Sequence, residues 1–356
     1  MKTIDIHTHL LNPAVRFDRL YDRVALRFFA QGLGADPNQL RARPFEAYVL
    51  SMAAAVRESQ HVEKACLFGV DARYDERGRE VARNKTVCAR NRDVVGVARR
   101  FPEQFIPFLS VNPRRPDALE RIDELVDQGC RGAKFLQNYW GVDLNDPRWI
   151  PYYEKLKAHR LPLIIHVGSE YSIESQRQYE RISMLELPLQ TGVTVIAAHM
   201  GLGRFNDRLR PWRNLSRNPR HFDADYHRML EMLALHDNLY ADVSAILAPL
   251  RARALRHLSQ QPQVAHKILF GTDYPVPFSI RYNSYDLSGE RRRAITRIAN
   301  PFDRYAAAML EYFPADHPLY VNHEKVLPLG YSGAEHTSFT SPSVRDIPEP
   351  ENLLSG

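Results

Sequence analysis

Short apolar runs recur along the chain, and segments with helical spacing separate them. Eight runs are predicted strands, at residues 3–7, 65–70, 105–111, 132–136, 161–166, 193–199, 239–243 and 267–273. Several runs are continuously apolar, which is typical of strands buried on both faces of a parallel sheet. The segments at 116–128, 149–159 and 226–236 carry the pattern of surface helices. Eight alternating βα units predict an α/β fold, namely a (β/α)8 TIM barrel.

Several connections are longer than a minimal crossover, which predicts helical insertions in the βα loops. Segment 11–60 is one such insert, with helix-like stretches at 18–29 and 45–58. Because loops at the carboxyl ends of barrel strands build the active site, 11–60 and 201–222 are candidate lids. A doubly wound open sheet is the alternative architecture, but the Gly-rich nucleotide loop that it often carries is absent.

We predict a single barrel domain over residues 1–330, with a helical stretch at 291–313 near its end. Residues 331–356 are rich in Ser, Pro, Gly and Glu. Such composition is typical of an extended or disordered tail.

The composition argues against a membrane-spanning protein and against a secreted, disulfide-rich one. The 356 residues are 44% hydrophobic and 25% charged, as in ordinary globular proteins. No apolar run approaches the roughly 20 residues of a membrane span, and the N-terminus lacks the apolar region of a signal peptide. Cys66, Cys88 and Cys130 are odd in number and widely spaced, which fits reduced thiols better than a disulfide framework. We therefore expect a cytoplasmic protein with no membrane partner.

The basic charge does not predict nucleic-acid binding. The net charge is +6, but 48 Lys and Arg residues are offset by 42 Asp and Glu residues. The arginines are scattered and no nucleic-acid motif accompanies them. A basic surface could equally attract a carboxylate, so we expect a small-molecule substrate.

Histidines and an aspartate stand at the ends of predicted strands. His7 and His9 are two residues apart on the first strand, so their side chains point to the same face. His166 closes the fifth strand, His199 the sixth and Asp273 the eighth. Strand ends share one rim of a barrel, so these side chains are expected to meet. Each alone could be a hydrogen-bonded rim residue, but three histidines and a carboxylate together suit a zinc site with an open position for water.

These motifs resemble a known family. The sequence His7-x-His9, the histidines after strands five and six, and the sequence GTDYP at 271–275 resemble the amidohydrolase superfamily of metal-dependent barrel enzymes. The sequences HMG at 199–201 and GAK at 132–134 are most similar to its branch of decarboxylases and hydrolases, which includes aminocarboxymuconate-semialdehyde decarboxylase. The resemblance covers residues 3 to about 280.

The resemblance implies roles for individual residues. His7, His9, His166 and Asp273 would bind one divalent metal ion, with Zn²⁺ favoured and Mn²⁺ as the alternative. His199 would be the acid–base residue beside the site. Asp273 would also accept a proton from the attacking water.

Other residues have less definite implied roles. Lys134 ends the fourth predicted strand, where binuclear relatives carry a carboxylated lysine that bridges two metals. We favour one metal ion, with Lys134 pairing with an acidic side chain or a substrate carboxylate. Trp140 with Tyr139 could form an apolar wall for the substrate, and Arg204 could bind a carboxylate. The alternative for each of these is a loop residue paired locally.

The implied activity is metal-dependent hydrolysis of a small acidic or cyclic substrate, such as an amide, ester or lactone, by metal-activated water. The alternative enzyme class is a carboxy-lyase, a non-oxidative decarboxylase that acts on a conjugated or aromatic carboxylic acid at the same metal site. A barrel that binds a ligand without catalysis is a third hypothesis, and the intact ligand set argues against it. A homodimer is also conceivable, because the 11–60 insert could pack against a second copy as readily as it could cover the site.

Overall fold

Parallel β-strands form the centre of the protein. The computed structural model describes residues 2–14, 37–82, 88–170, 173–202, 217–248, 251 and 253–327. The described strands are β1 (Thr3–His9), β2 (Val62–Phe68), β3 (Arg73–Tyr74), β4 (Glu80–Ala82), β5 (Phe105–Pro107), β6 (Ala133–Phe135), β7 (Leu163–Ile165), β8 (Val195–Ala197), β9 (Leu239–Asp242) and β10 (Ile268–Leu269).

Eight of these strands form a barrel. β1, β2 and β5 make one parallel sheet, and β6 to β10 follow one another in a second parallel sheet. Isolated parallel bridges join the two sheets, from Leu109 to Ala133 on one side and from Thr8 to Tyr274 on the other. The strands β3 and β4 form a separate antiparallel hairpin. The predicted (β/α)8 TIM barrel is confirmed.

Helices connect the strands and pack around them. They are α1 (Pro37–Ala42), α2 (Pro44–Glu58), α3 (Asn91–Arg100), α4 (Ala118–Asp127), α5 (Gln137–Trp140), α6 (Ile150–Ala158), α7 (Glu186–Thr191), α8 (Ala224–Leu235), α9 (Leu255–Ser259), α10 (Ile280–Asn283), α11 (Gly289–Thr296), α12 (Pro301–Leu310) and α13 (His323–Val326). Short 3₁₀ turns lie at Pro147–Trp149, Arg177–Glu180, Ile182–Leu185, Ala198–Gly201, Pro219–His221, Pro262–Lys267 and Pro318–Tyr320.

The continuously apolar strands bury both of their faces. On β2, Cys66 and Phe68 point into the barrel interior, whereas Ala65 and Leu67 pack on the surrounding helices. Successive side chains of a strand point to opposite faces, so a strand covered on both sides needs apolar residues at every position. The interior cluster is thus distinct from the outer core between strands and helices.

The helical prediction for 291–313 requires a correction. The structure has two helices there, α11 and α12, instead of one. Asn300 accepts hydrogen bonds from the backbone N–H groups of Phe302 and Asp303, and Pro301 occupies the first turn of α12. An Asn cap followed by proline begins a new helix, and proline disfavours helical backbone in the residue before it.

Other predictions about segments are tested only in part. The predicted helix at 45–58 is α2, whereas the one at 18–29 lies outside the described residues, as does the tail at 331–356. Most of the candidate lid at 201–222 also lies outside them. The single-domain assignment over 1–330 therefore stays a prediction. Among the described residues, no helix has the length and apolar character that a membrane crossing requires.

Candidate metal centre

Three predicted metal ligands meet where β1 ends. The Nε2 atoms of His7 and His9 lie 3.4 and 3.1 Å from Oδ1 of Asp273. Asp273 follows β10 in a loop and has a left-handed backbone with φ 66°. Its N–H donates to the carbonyl of His7 at 2.9 Å, which holds the loop against β1. One ligand atom from each residue lies within 4.8 Å of the other two.

The second nitrogen of the His7 ring, Nδ1, contacts a buried carboxylate. His7 Nδ1 lies 2.7 Å from Oδ2 of Asp242, the last residue of β9. Ser244 Oγ is 3.1 Å from the same nitrogen and donates to Oδ1 of Asp242. Because the carboxylate can only accept, the proton of the imidazole lies on Nδ1 and the lone pair lies on Nε2. The lone pair of His7 therefore faces Asp273.

His166 and His199 lie on the same rim. His166 directly follows β7, and its ring centroid is 5.0 Å from that of His199. The His199 ring is in turn 5.1 Å from the His7 ring. His199 has φ 60°, an uncommon backbone conformation for a non-glycine residue that is often found at functional sites. Its N–H donates to Asp242 Oδ1 at 2.9 Å, so one carboxylate holds both His7 and His199.

The donor atoms fit a divalent metal ion. Asp273 Oδ1 and His166 Nε2 are buried, and neither has a hydrogen-bond partner among the described residues. Buried polar atoms without partners are costly. A cation bound beside them removes this cost, and imidazole and carboxylate are typical zinc ligands. Among the described residues, His166 is not part of the 4.8 Å group, although it lines the same cavity.

Burial keeps three of the four histidines neutral, as metal binding requires. Burial lowers the pKa of His7, with a further contribution from Lys134. Burial, then Lys134 and Arg251, lowers the pKa of His166 well below its ordinary value, and burial and Arg251 do the same for His199. For His9, burial alone would lower the pKa, but Cys88 and Asp273 raise it to about 9. Three of the four histidines therefore present neutral imidazoles without first losing a proton.

Lys134 lies in the middle of β6 and not at its end. Its Nζ is 3.2 Å from His7 Nε2 and 5.1 Å from the centre of the Phe68 ring. Burial lowers the pKa of Lys134 to about 8. The structure thus places the amine beside the candidate metal ligands, where it could contact a metal ion or a substrate.

A cavity opens beside these residues. His9, His166, His199 and Asp273 line it, together with apolar side chains such as Leu11, Leu136, Ile173, Ala248, Val276 and Pro277. Glu170 also lines it, with Oε2 3.6 Å from Nδ1 of His166. The cavity therefore combines an apolar wall with a polar end at the histidines, as is usual for small-molecule sites.

Among the described residues that line the cavity, Arg251 is the one arginine, and no lysine lines it. Arg251 is 3% exposed, and its Nη1 donates to the carbonyl of Leu202. Gly168 makes room for this arrangement, because a Cβ at Gly168 would lie 2.4 Å from the Leu202 oxygen. Arginine forms two parallel hydrogen bonds with a carboxylate, so its position suits an anionic substrate group.

Of the predicted substrate contacts, the structure describes Trp140 and Tyr139. Trp140 is buried and donates from Nε1 to the carbonyl of Asp71 at 3.1 Å. Trp140 and Tyr139 are not among the described residues that line the cavity. Arg204 lies outside the described residues. Trp140, the last residue of α5, is thus buried with its indole N–H satisfied by the backbone.

Sequence reasoning missed four residues at the site, namely Asp242, Ser244, Cys88 and Arg251. Asp242 carried a usable signal, because it is the last polar residue of a predicted strand, one position before the end of that strand. Ser244 follows it by two residues and could have been found with it. Cys88 and Arg251 lie in connecting segments without a strand pattern, so only the folded structure brings them to the cavity.

A closed parallel barrel with histidines and an aspartate at its carboxyl-terminal rim defines a TIM-barrel protein with a candidate metal centre. The family model described as Amidohydrolase matches residues 4–292, most of the chain. The protein belongs to the amidohydrolase family, which confirms the resemblance read from the motifs. No curated protein sequence matches the chain significantly.

Solved structures agree on the fold. An uncharacterised TIM-barrel protein from Bordetella bronchiseptica is 20% identical, with a TM-score of 0.52, and the match covers 86% of this chain and 99% of that one. A probable 2-pyrone-4,6-dicarboxylic acid hydrolase from Acinetobacter baumannii is 15% identical with a TM-score of 0.51, covering 92% and 99%. An amidohydrolase 2 from Bifidobacterium longum subsp. infantis is 16% identical with a TM-score of 0.51, covering 92% and 98%. At these identities the likeness concerns the fold alone.

Proposed function

We propose that the protein is a metal-dependent hydrolase that acts on a small acidic or cyclic amide, ester or lactone. The observation that carries the proposal is the grouping of His7 Nε2, His9 Nε2 and Asp273 Oδ1. The Asp273 oxygen is buried and has no hydrogen-bond partner among the described residues. The residues that would hold one divalent ion, Zn²⁺ in preference to Mn²⁺, are His7, His9, His166 and Asp273. A bound ion supplies Lewis acidity at the substrate oxygen and makes water acidic enough to react near neutral pH.

His199 is the proposed acid–base residue. Its Nδ1 is 2.8 Å from Ser244 Oγ and 3.0 Å from the Ser244 carbonyl, so that the ring has a defined orientation. The carbonyl accepts a hydrogen bond from Nδ1–H, which leaves the lone pair on Nε2. Burial lowers the pKa of His199, so the ring is neutral and can accept a proton from water before passing it to the leaving group.

Arg251 supports an acidic substrate. Its buried guanidinium lines the cavity on the side of His166 and His199, and it contributes to the lowered pKa of both. A carboxylate bound there would bring the rest of the substrate to the histidines. The apolar cavity wall would accommodate a ring or a conjugated chain.

A substrate panel in isotopically labelled water tests the reaction class. The panel contains lactones, esters and amides with and without a carboxylate, together with aromatic and dienoic acids. We expect zinc-dependent ring opening or bond cleavage with one labelled oxygen in the product, and a larger rise in KM for the carboxylate substrates than for neutral ones in Arg251→Met. Release of carbon dioxide without incorporation of label would select decarboxylation and reject hydrolysis.

A further inference from the structure

We infer that Cys88 positions His9 for metal binding, by accepting a hydrogen bond from its Nδ1–H on the side of the ring away from Asp273. This inference rests on the proposed metal function. It concerns a residue outside the implied ligand set, and it assigns to a thiol the role that the Asp242 carboxylate has at His7.

The backbone places Cys88 beside the end of β1. Cys88 pairs with Leu11 in an antiparallel bridge, and the N–H of Ala89 donates to the carbonyl of Leu10 at 2.8 Å. The N–H of Leu10 donates to the carbonyl of Phe68 at 2.9 Å, so the segment after His9 is tied on both sides. As a result Cys88 Sγ lies 3.7 Å from His9 Nδ1, within the longer range of hydrogen bonds to sulfur.

The orientation of the His9 ring determines which of its nitrogens contacts Cys88. His9 Nε2 faces Asp273 Oδ1 at 3.1 Å, and that oxygen is buried without a hydrogen-bond partner among the described residues. For Nε2 to bind a metal, its lone pair must be free and the ring proton must lie on Nδ1. Nδ1–H then points to the sulfur of Cys88, which becomes its acceptor.

Among the described residues, the other contacts of His9 involve its backbone and its ring plane, whereas Cys88 and Asp273 lie beside its ring nitrogens. The Tyr48 hydroxyl donates to the His9 carbonyl, and the Phe68 ring packs edge-on with its centre 4.7 Å from that of the His9 ring. These contacts restrict the backbone and the ring plane. Which nitrogen of the His9 ring carries the proton depends on the partner of Nδ1. Removal of such a hydrogen-bond partner of a metal-binding histidine typically changes metal affinity about 10–100-fold.

The location of Cys88 differs from that of the other two cysteines. Cys66 lies in the barrel interior, and Cys88 and Cys130 both belong to the outer core. Of these three described cysteines, Cys88 is the one that lines the cavity with His9. None of the three forms a disulfide with another described residue. Cys130 therefore provides a matched control, since it is a buried cysteine remote from the candidate metal ligands.

Zinc affinity of three variants tests the inference. The dissociation constant for Zn²⁺ is measured by competition with a chromophoric chelator for wild type, Cys88→Ala, Cys88→Ser and Cys130→Ala, and the melting temperature of each metal-free protein is recorded. We expect about 10–100-fold weaker binding in Cys88→Ala and wild-type binding in Cys130→Ala. Cys88→Ser should recover part of the loss, because its hydroxyl oxygen can accept from Nδ1–H.

Two results would overturn the inference while leaving the proposed function intact. One is an unchanged dissociation constant in Cys88→Ala. The other is an equal loss of affinity in Cys88→Ala and Cys88→Ser, which would trace the effect to packing. Failure of the wild-type protein itself to bind zinc would instead reject the proposed metal function.

Discussion

His7 Nδ1 lies 2.7 Å from Oδ2 of Asp242, a residue that follows it by 235 positions. Burial alone would raise the pKa of Asp242, but His7 and the Ser244 hydroxyl lower it to about 2. The carboxylate is therefore charged at neutral pH and holds the imidazole with Nε2 toward Asp273. The pair joins two strands that are far apart in the sequence, because His7 lies on β1 and Asp242 lies on β9.

Loss of the Asp242 charge should weaken metal binding. Asp242→Asn keeps the side-chain size but removes the charge that holds the proton on His7 Nδ1, so we expect zinc affinity to fall about 10-fold or more. The dissociation constant is measured by chelator competition. Asp225→Asn is the control, because Asp225 is also buried but pairs with Arg181 away from the site. Equal zinc affinity in Asp242→Asn and wild type would contradict this role.

His199 should affect turnover more than metal content. In His199→Asn, the candidate ligands remain but the proposed proton acceptor is lost, so kcat should fall about 10²-fold or more with metal content near that of wild type. Metal analysis and steady-state kinetics on the same preparation measure both quantities. His266→Asn, at an exposed position, is the control. Collapse of metal content in His199→Asn would make His199 a ligand and change the assigned roles.

Lys134 should not be needed for metal binding. Its buried amine lies 3.2 Å from His7 Nε2, so in the charged form it repels a cation at the site. Lys134→Met should therefore bind zinc at least as tightly as wild type, with a single ion per chain in both proteins. Elemental analysis gives the stoichiometry. Two ions per wild-type chain, one of them lost on substitution, would instead indicate a carboxylated lysine between two metals.

Stability of the metal-free protein should fall in mild acid, with His323 as one contributor. Burial lowers the pKa of His323, and Nδ1 of this residue is buried without a hydrogen-bond partner among the described residues. The unfolded chain therefore binds this proton first as the pH falls. The contribution of His323 to stability is present above the ordinary histidine pKa near 6.5 and is lost as the pH falls below it.

The comparison of His323→Gln with wild type measures this contribution. Melting temperatures of the metal-free proteins between pH 8 and pH 5 should decline less steeply for His323→Gln. The exposed control His266→Gln should follow the wild-type curve. Parallel curves for His323→Gln and wild type would show that His323 is protonated equally in the folded and unfolded states.

The barrel and part of its rim could be predicted because strand ends are visible in the sequence. Continuous apolar runs locate the strands, and His7 and His166 stand at or directly after the ends of two of them. Asp273 is harder, since it follows the last residue of β10 by four positions and reaches the rim through its left-handed backbone. The sequence GTDYP identified Asp273 as a candidate ligand, whereas the apolar pattern of the strand alone does not fix which residue reaches the rim.

The contacts that orient these residues depend on long-range packing. Cys88 reaches His9 through a bridge to Leu11, and Arg251 reaches the cavity through the carbonyl of Leu202. Neither contact produces a recognisable pattern in the sequence, because each joins two connecting segments that are far apart along the chain. The contact of Trp140 is of the same kind: its position after β6 suggested the cavity, and its indole N–H donates to the carbonyl of Asp71.

Metal content tests the central claim most directly. Wild type, His166→Ala, Asp273→Ala and the control His266→Ala are dialysed after zinc loading, and bound metal is measured by elemental analysis. The proposed centre predicts a single zinc ion per chain in wild type and in the control, and loss of that ion in His166→Ala and Asp273→Ala. A wild-type protein that retains neither zinc nor manganese, and whose melting temperature neither ion raises, would contradict it.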